Sequence, residues 1–145
     1  MDIYDICEIV GDELGKGYAE CVYQEGICVL LRENMLAYSK EVVIPIKYNN
    51  SVIGNVRADI VLNDEKSIIE CKAIDSNLKS SHFPQIITYM NLLDYNNGVL
   101  VNFNQNPSKE MVEIAKVKRL EHNKYVISLD KIDYYLTKSG KLITE

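Results

Sequence analysis

The chain has 145 residues, 47% hydrophobic and 26% charged, with a net charge of −5. This composition excludes a disordered, collagen-like or disulfide-stapled protein and leaves enough length for one well-buried core. No apolar run is long enough to span a bilayer and no secretory h-region is seen, so a soluble, intracellular protein without membrane association is expected. Cys7, Cys21, Cys28 and Cys71 form no C-x-x-C pair, which points away from zinc or iron–sulfur sites and toward buried free thiols.

Along the chain, Ile3, Ile6, Ile9 and Val10 have helical spacing up to Leu14, and Gly15 and Gly17 break the pattern. A second helix is predicted from about Tyr18 to Asn34, with Val22, Gly26, Val29 and Leu30 toward the core and Glu20, Tyr23 and Ile27 along another face. Residues 41–48 read as an edge strand, because Pro45 cannot donate to a ladder on both sides. Asn49-Asn50-Ser51 turns that strand into residues 52–62, and Asn63 to Lys66 turns again into a strand bearing Glu70. A third helix fits 81–94, with Pro84 tolerated in its first turn, and Val99 to Phe103 reads as a buried strand. Residues 111–119 suit a helix or a strand, 124–129 suit a strand, and 134–141 suggest a terminal hairpin. The order predicts an α/β fold with a mixed β-sheet flanked by α-helices, a core over 1–107 and a C-terminal extension over 108–145 packed on the same domain.

The chemistry concentrates in two strands. Alternation puts Arg57 and Asp59 on one face, opposite Val56, Ala58, Ile60 and Leu62. It likewise puts Glu70 and Lys72 on one face, opposite Ile69, Cys71 and Ala73. Charges in the middle of apolar strands need a partner or a metal. Neighbouring strands lie about 4.8 Å apart, so Asp59 and Glu70 can converge on one Mg²⁺ or Mn²⁺ while Lys72 orients or deprotonates a water. The bland alternative is an ion pair of Glu70 with Lys72 or Arg57 on a solvated face. Glu20 adds a third carboxylate if it reaches the polar face together with Tyr23, or else is a solvated first-turn residue. His82, Gln85 and Tyr89 form a polar stripe on the third helix that can brace carboxylates, hold water or touch a phosphate. Net charge is uneven, with 8 Lys/Arg against 15 Asp/Glu over 1–107 and 8 against 6 over 108–145. That excess on the tail is too small to identify a nucleic-acid surface.

Gly17-x-x-Glu20-x-x-Tyr23, followed in order by Arg57-Ala58-Asp59, Ile69-Glu70-Cys71-Lys72, His82-x-x-Gln85-x-x-x-Tyr89 and Val101-Asn102-Phe103, resembles the GxxExxY proteins of the PD-(D/E)XK nuclease superfamily. The resemblance covers roughly 8–104 and implies a restriction-endonuclease-like core. It implies Asp59, Glu70 and the Cys71 carbonyl as ligands of Mg²⁺ or Mn²⁺, and Lys72, Glu20 and Gln85 as catalytic. Arg57, Tyr23, His82 and Tyr89 would support the site or contact substrate. The implied activity is metal-dependent hydrolysis of DNA by a homodimer or monomer, with a structure-selective junction resolvase or a non-cleaving nucleic-acid-binding module as alternatives. The sequence departs from the pattern at Asn104-Gln105, where a glycine is often found.

Overall fold

The computed structural model describes residues 1–143, so the last two positions of the predicted extension lie outside the described residues. Helix α1 (Ile3–Leu14) opens on a capping box in which Asp2 accepts from the Asp5 N–H and Asp5 accepts from the Asp2 N–H. Helix α2 (Glu20–Glu33) begins later than predicted, after Ala19, and has no side-chain cap. Its first-turn carboxylate, Glu20, is therefore not spent on a backbone amide.

Strands β1 (Tyr38–Tyr48) and β2 (Ser51–Leu62) form a hairpin closed by Asn49 and Asn50, both at positive φ, as a two-residue turn of this hand requires. Strand β3 (Ser67–Lys72) leads through a 3-10 turn at Ser80–His82 into α3 (Pro84–Leu93), then β4 (Asn97–Phe103). The third helix starts at Pro84 rather than 81, because proline fills the first helical position without a donor to lose. Residues past 107 continue as β5 (Val112–Leu120), β6 (Lys124–Leu129) and β7 (Ile132–Thr137). The ambiguous 111–119 segment is thus a strand, with Ala115 and Val117 alternating into the core.

All seven strands form one mixed sheet in sequence order, antiparallel throughout except for β3 and β4, which are parallel and joined by the crossover through α3. Strand β1 lies at an edge, where Pro45 is tolerated. Helices α1 and α2 cover one face through Ile6, Val10, Tyr23, Ile27 and Leu31. Helix α3 covers the other through Ile86, Ile87 and Met90, together with Phe83 just before it. This is an α/β fold of the restriction-endonuclease-like kind. Among the described residues no helix is long and apolar enough to cross a membrane.

The predicted core face of α2 is corrected. Val22 and Val29 are exposed, while Tyr23, Gln24, Ile27, Cys28 and Leu31 are buried. Two apolar stripes run along this helix, and the one carrying the larger side chains, Tyr23, Ile27 and Leu31, is buried. More apolar area is removed from water that way. Of the cysteines, Cys7, Cys28 and Cys71 are buried, but Cys21 is exposed, against the expectation of four buried thiols.

Candidate active site

The site forms where the β2–β3 ladder gives out. Pairing runs Leu62↔Ser67, Val61↔Ile68 and Ile60↔Ile69, and stops before Asp59 and Glu70 would meet. On the other side of β2, Lys40↔Ile60 and Val42↔Ala58 are paired, but Glu41 and Asp59 between them are not. Glu41 has φ of 52°, a left-handed backbone that interrupts the pleat. The interruption reverses the alternation. Ala58 packs under α3, whereas Ile60 and Leu62 pack under α1 and α2. The expectation that Val56, Ala58, Ile60 and Leu62 share a face is thereby corrected. Strand β3 keeps its alternation, with Ile68 toward α3 and Ile69 and Cys71 toward α1 and α2.

At the gap the two carboxylates take the amides that the ladder leaves free. Asp59 Oδ2 accepts from the Cys71 N–H at 2.9 Å, and Glu70 Oε1 accepts from the Asp59 N–H at 2.9 Å. Each carboxylate accepts one main-chain amide at this brace. Among the described residues neither is in an ion pair, and the alternative of Glu70 paired with Lys72 or Arg57 does not form. Glu70 is 5% exposed, and burial pushes its carboxyl up to about 9, with the Asp59 charge adding to the rise. Burial raises Asp59 as well, against the lowering effect of the Cys71 amide and of Lys72. Taking these carboxyls out of water favours their protonated forms.

Other predicted residues surround this pair. Glu20, on the first turn of α2, has its carboxyl raised by desolvation and by the Asp59 charge, and lowered by Lys72. Lys72 follows Glu70 by two and is half-buried at the end of β3, opposite Asn102. On α3, the Gln85 amide donates to the Tyr89 hydroxyl at 2.7 Å. Burial raises the Tyr89 phenol, and the charges of Glu70 and Asp59 reach it too. His82 accepts the Lys79 N–H on Nδ1 at 3.0 Å, and its pKa is lowered by desolvation and by Lys72 and Lys79. Arg57 is exposed on β2, across from Val43, one residue before the reversal begins. The structure thus brings Glu20, Asp59, Glu70, Lys72 and Tyr89 into one electrostatic neighbourhood, with Gln85 and His82 beside it.

Tyr23 does not reach the polar face. It is fully buried, stacked on Phe103 with ring centroids 4.5 Å apart, and its hydroxyl donates to the Gly15 carbonyl at 2.6 Å. Gln105, at the departure from the motif, completes this cluster: its amide donates to the Tyr23 hydroxyl at 3.0 Å and its Oε1 accepts the Gly17 N–H at 2.7 Å. Gly17 has φ of 110°, which a side chain would strain, so the glycine of the motif answers to a backbone shape. The structure thus places Tyr23 in the core, with its hydroxyl bonded to the loop that precedes Glu20.

Two polar residues, Gln24 and Glu41, were not singled out from the sequence, and a third, Asn102, stood in a quoted motif without a role. Gln24 is buried and donates to the Asp59 carbonyl at 3.3 Å; a glutamine beside Tyr23 on the buried arc is its only sequence signal. Glu41 adds its charge at Asp59, and nothing in its neighbours marks it. Asn102, fully buried, accepts from the Ile74 N–H at 3.1 Å and donates to the Ser76 carbonyl at 3.1 Å, ordering the chain after Lys72.

Carboxylate oxygens of this sort suit a hard divalent cation. Among the described residues no group of three or more His, Cys, Asp or Glu side chains is arranged to hold a metal. Any ion here would thus rest on Asp59, Glu70 and main-chain or water oxygens.

Residues 1–118 match the PD-(D/E)XK nuclease superfamily, and the chain belongs to it. Nucleases of this superfamily act on nucleic acid and generally use divalent metal ions. Among solved structures the fold is similar to "Crystal structure of SSO0001", with a TM-score of 0.53 and 21% identity over 68% of this chain. The chain spans 50% of that protein's length, so the likeness concerns the fold alone. No curated protein matches the chain.

Proposed function

We propose that the protein is a Mg²⁺- or Mn²⁺-dependent nuclease of the GxxExxY kind that hydrolyses phosphodiester bonds in DNA. The observation that carries this reading is the mutual brace of Asp59 and Glu70 at a gap in the sheet, with Glu70 buried, Asp59 half-buried and the Lys72 charge acting on Asp59. Asp59, Glu70 and the Cys71 carbonyl would hold the ion, which when bound polarises a phosphodiester and acidifies a water. The backbone brace between Asp59 and Cys71 holds the ligands in place before any ion arrives, which limits the reorganisation needed on binding.

The remaining roles belong to the surrounding side chains. Lys72 orients the attacking water and offsets negative charge on the phosphate. Glu20, set at the rim, accepts a proton from that water or holds a second water through a hydrogen bond. Gln85 fixes the Tyr89 hydroxyl, and the pair directs Tyr89 toward the carboxylates. His82 and Arg57 flank the approach of the phosphate backbone. Without a cation, three clustered carboxylates repel a phosphate chain, so DNA binding in EDTA is weak in this reading.

The test is cleavage of linear, plasmid and branched DNA by wild type and Lys72→Ala, with and without Mn²⁺. Metal-dependent cutting that the variant loses while its melting temperature holds is the expected result. Cutting confined to branched DNA would mark a junction resolvase. DNA binding without cutting at any metal concentration would reduce the protein to a binding module and overturn the proposal.

A further inference from the structure

We infer that the β1–β2 hairpin, residues 42–58, is an arm that enters the major groove of B-form duplex DNA beside the bond being cut. This inference rests on the nuclease reading above and adds to it the element that selects the substrate.

The arm is set by the same reversal that builds the site. Strand β2 pairs with β3 only from Ile60 onward, so from Val42 and Ala58 outward the hairpin has no third strand. Its base is anchored where Ile44 and Ala58 sink into the core under α3, with Val42 and Val56 packed against that core. Its tip is uncovered: Tyr48, Val52 and Ile53 are 65%, 62% and 64% exposed. A two-stranded ribbon exposing such side chains is marginal in water on its own.

The chemistry of the arm favours DNA as the occupant. In a chain of net charge −5, residues 42–58 contain Lys47 and Arg57 and no Asp or Glu. The acid-free stretch begins immediately after Glu41 and ends immediately before Asp59. A nucleic acid reaching the carboxylates therefore meets a non-repelling surface on one side. Asn49, Asn50 and Asn55 offer paired donors and acceptors suited to adenine, Lys47 suits guanine, and Val52 and Ile53 suit the thymine methyl group. A β-ribbon fits the wide major groove of B-form DNA, roughly 12 Å across, whereas the deep, narrow major groove of A-form RNA does not admit it. A second copy of the chain is the weaker fit. Strand addition along the β1 edge is obstructed by Pro45, which has no N–H to pair.

The test uses Lys47→Ala/Ile53→Ser, two exposed tip positions whose change removes nothing from the core. Binding of a blunt DNA duplex and of an RNA duplex of the same sequence is measured by anisotropy, in a Lys72→Ala background that prevents cutting, alongside the oligomeric state by light scattering. The expected result is a preference of the parent for the DNA duplex, and a loss of about tenfold in duplex affinity in the arm variant at unchanged melting temperature. Equal binding of DNA and RNA, or an arm variant that binds like its parent, overturns the inference. So does a dimer that the arm variant breaks, which would assign the arm to a second copy. If the Lys72-intact protein cuts DNA but the arm variant binds normally, the arm proposal alone fails. If the protein neither cuts nor binds nucleic acid, the nuclease reading fails with it.

Discussion

Two polar clusters sit close together at the same end of this fold, and they are built on opposite principles. Around Tyr23, neutral groups satisfy one another: the hydroxyl, the Gln105 amide, the Gly17 N–H and the Gly15 carbonyl close a hydrogen-bonded set against a stacked Phe103. Around Asp59 and Glu70, two carboxylates share a gap in the sheet, and desolvation raises both carboxyls, Glu70 to about 9. The first arrangement is complete in itself and stabilises. The second takes acidic groups out of water, which opposes their ionisation. One seven-residue motif, Gly17 to Tyr23, feeds both, with glycine and tyrosine serving the scaffold and Glu20 serving the site.

The sharpest way to break this comparison is to exchange the two kinds of loss. Asp59→Asn or Lys72→Ala is expected to reduce cleavage by on the order of 10²-fold or more while leaving thermal stability close to wild type. Tyr23→Ala is expected to cost about 3–5 kcal/mol of stability in chemical denaturation, because a stacked, fully buried ring is removed. Tyr23→Phe keeps the ring and loses only the hydroxyl's bonds, so it should cost about 1–2 kcal/mol and keep most of the cleavage. A Tyr23→Phe protein that is stable but inactive would show that the two clusters are not separate.

A third prediction follows from the proton on the carboxylate pair. The unfolded chain releases the Glu70 proton near 4.5 and the folded chain near 9, so below 4.5 this group favours the fold in full, and that contribution is lost as pH rises through 9. In metal-free buffer the melting temperature should fall across that window, and Glu70→Gln should flatten the fall. Mn²⁺ at a hundred times its Kd should restore about 2.7 kcal/mol, since it binds only the folded state, and should do so in wild type but not in Glu70→Gln. Melting curves indifferent to Mn²⁺ in both proteins would sink the proposed site.

The smallest effect concerns the thiols. Burial pushes the Cys7 thiol up to about 12, and it raises Cys28 and Cys71 as well. Only the exposed Cys21 should react with a thiol reagent at pH 8, giving one modified group per native chain by mass spectrometry. Rapid modification of Cys71 would mean that the gap beside Asp59 opens widely in solution.

Much of this arrangement could be read from the residues. The period-two runs around Asp59 and Glu70 announced adjacent strands, Pro45 announced an edge, and Asn49-Asn50 announced the turn between β1 and β2. What escaped was orientation. Tyr23 looked like a site residue because a tyrosine at helical spacing from Glu20 carries a polar tip. Its ring area favoured burial, and partners for the hydroxyl existed only in Gly15 and Gln105, the latter 82 positions away. Val22 and Val29 looked like core because an apolar stripe does not say which of two stripes the rest of the chain will cover.

Local periodicity by itself determined the element types, most of their order and the identity of the charged residues set among apolar strands. Those properties depend on neighbours a few positions apart, and they survive without knowledge of the remainder of the chain. Only the tertiary structure decided that the pleat reverses between Ala58 and Ile60, that Glu41 stands at that reversal, and that Asp59 and Glu70 bond each other's strands. A reversal of that sort is a bargain among three strands and two helices, each burying its own apolar face, and no window of sequence contains all five.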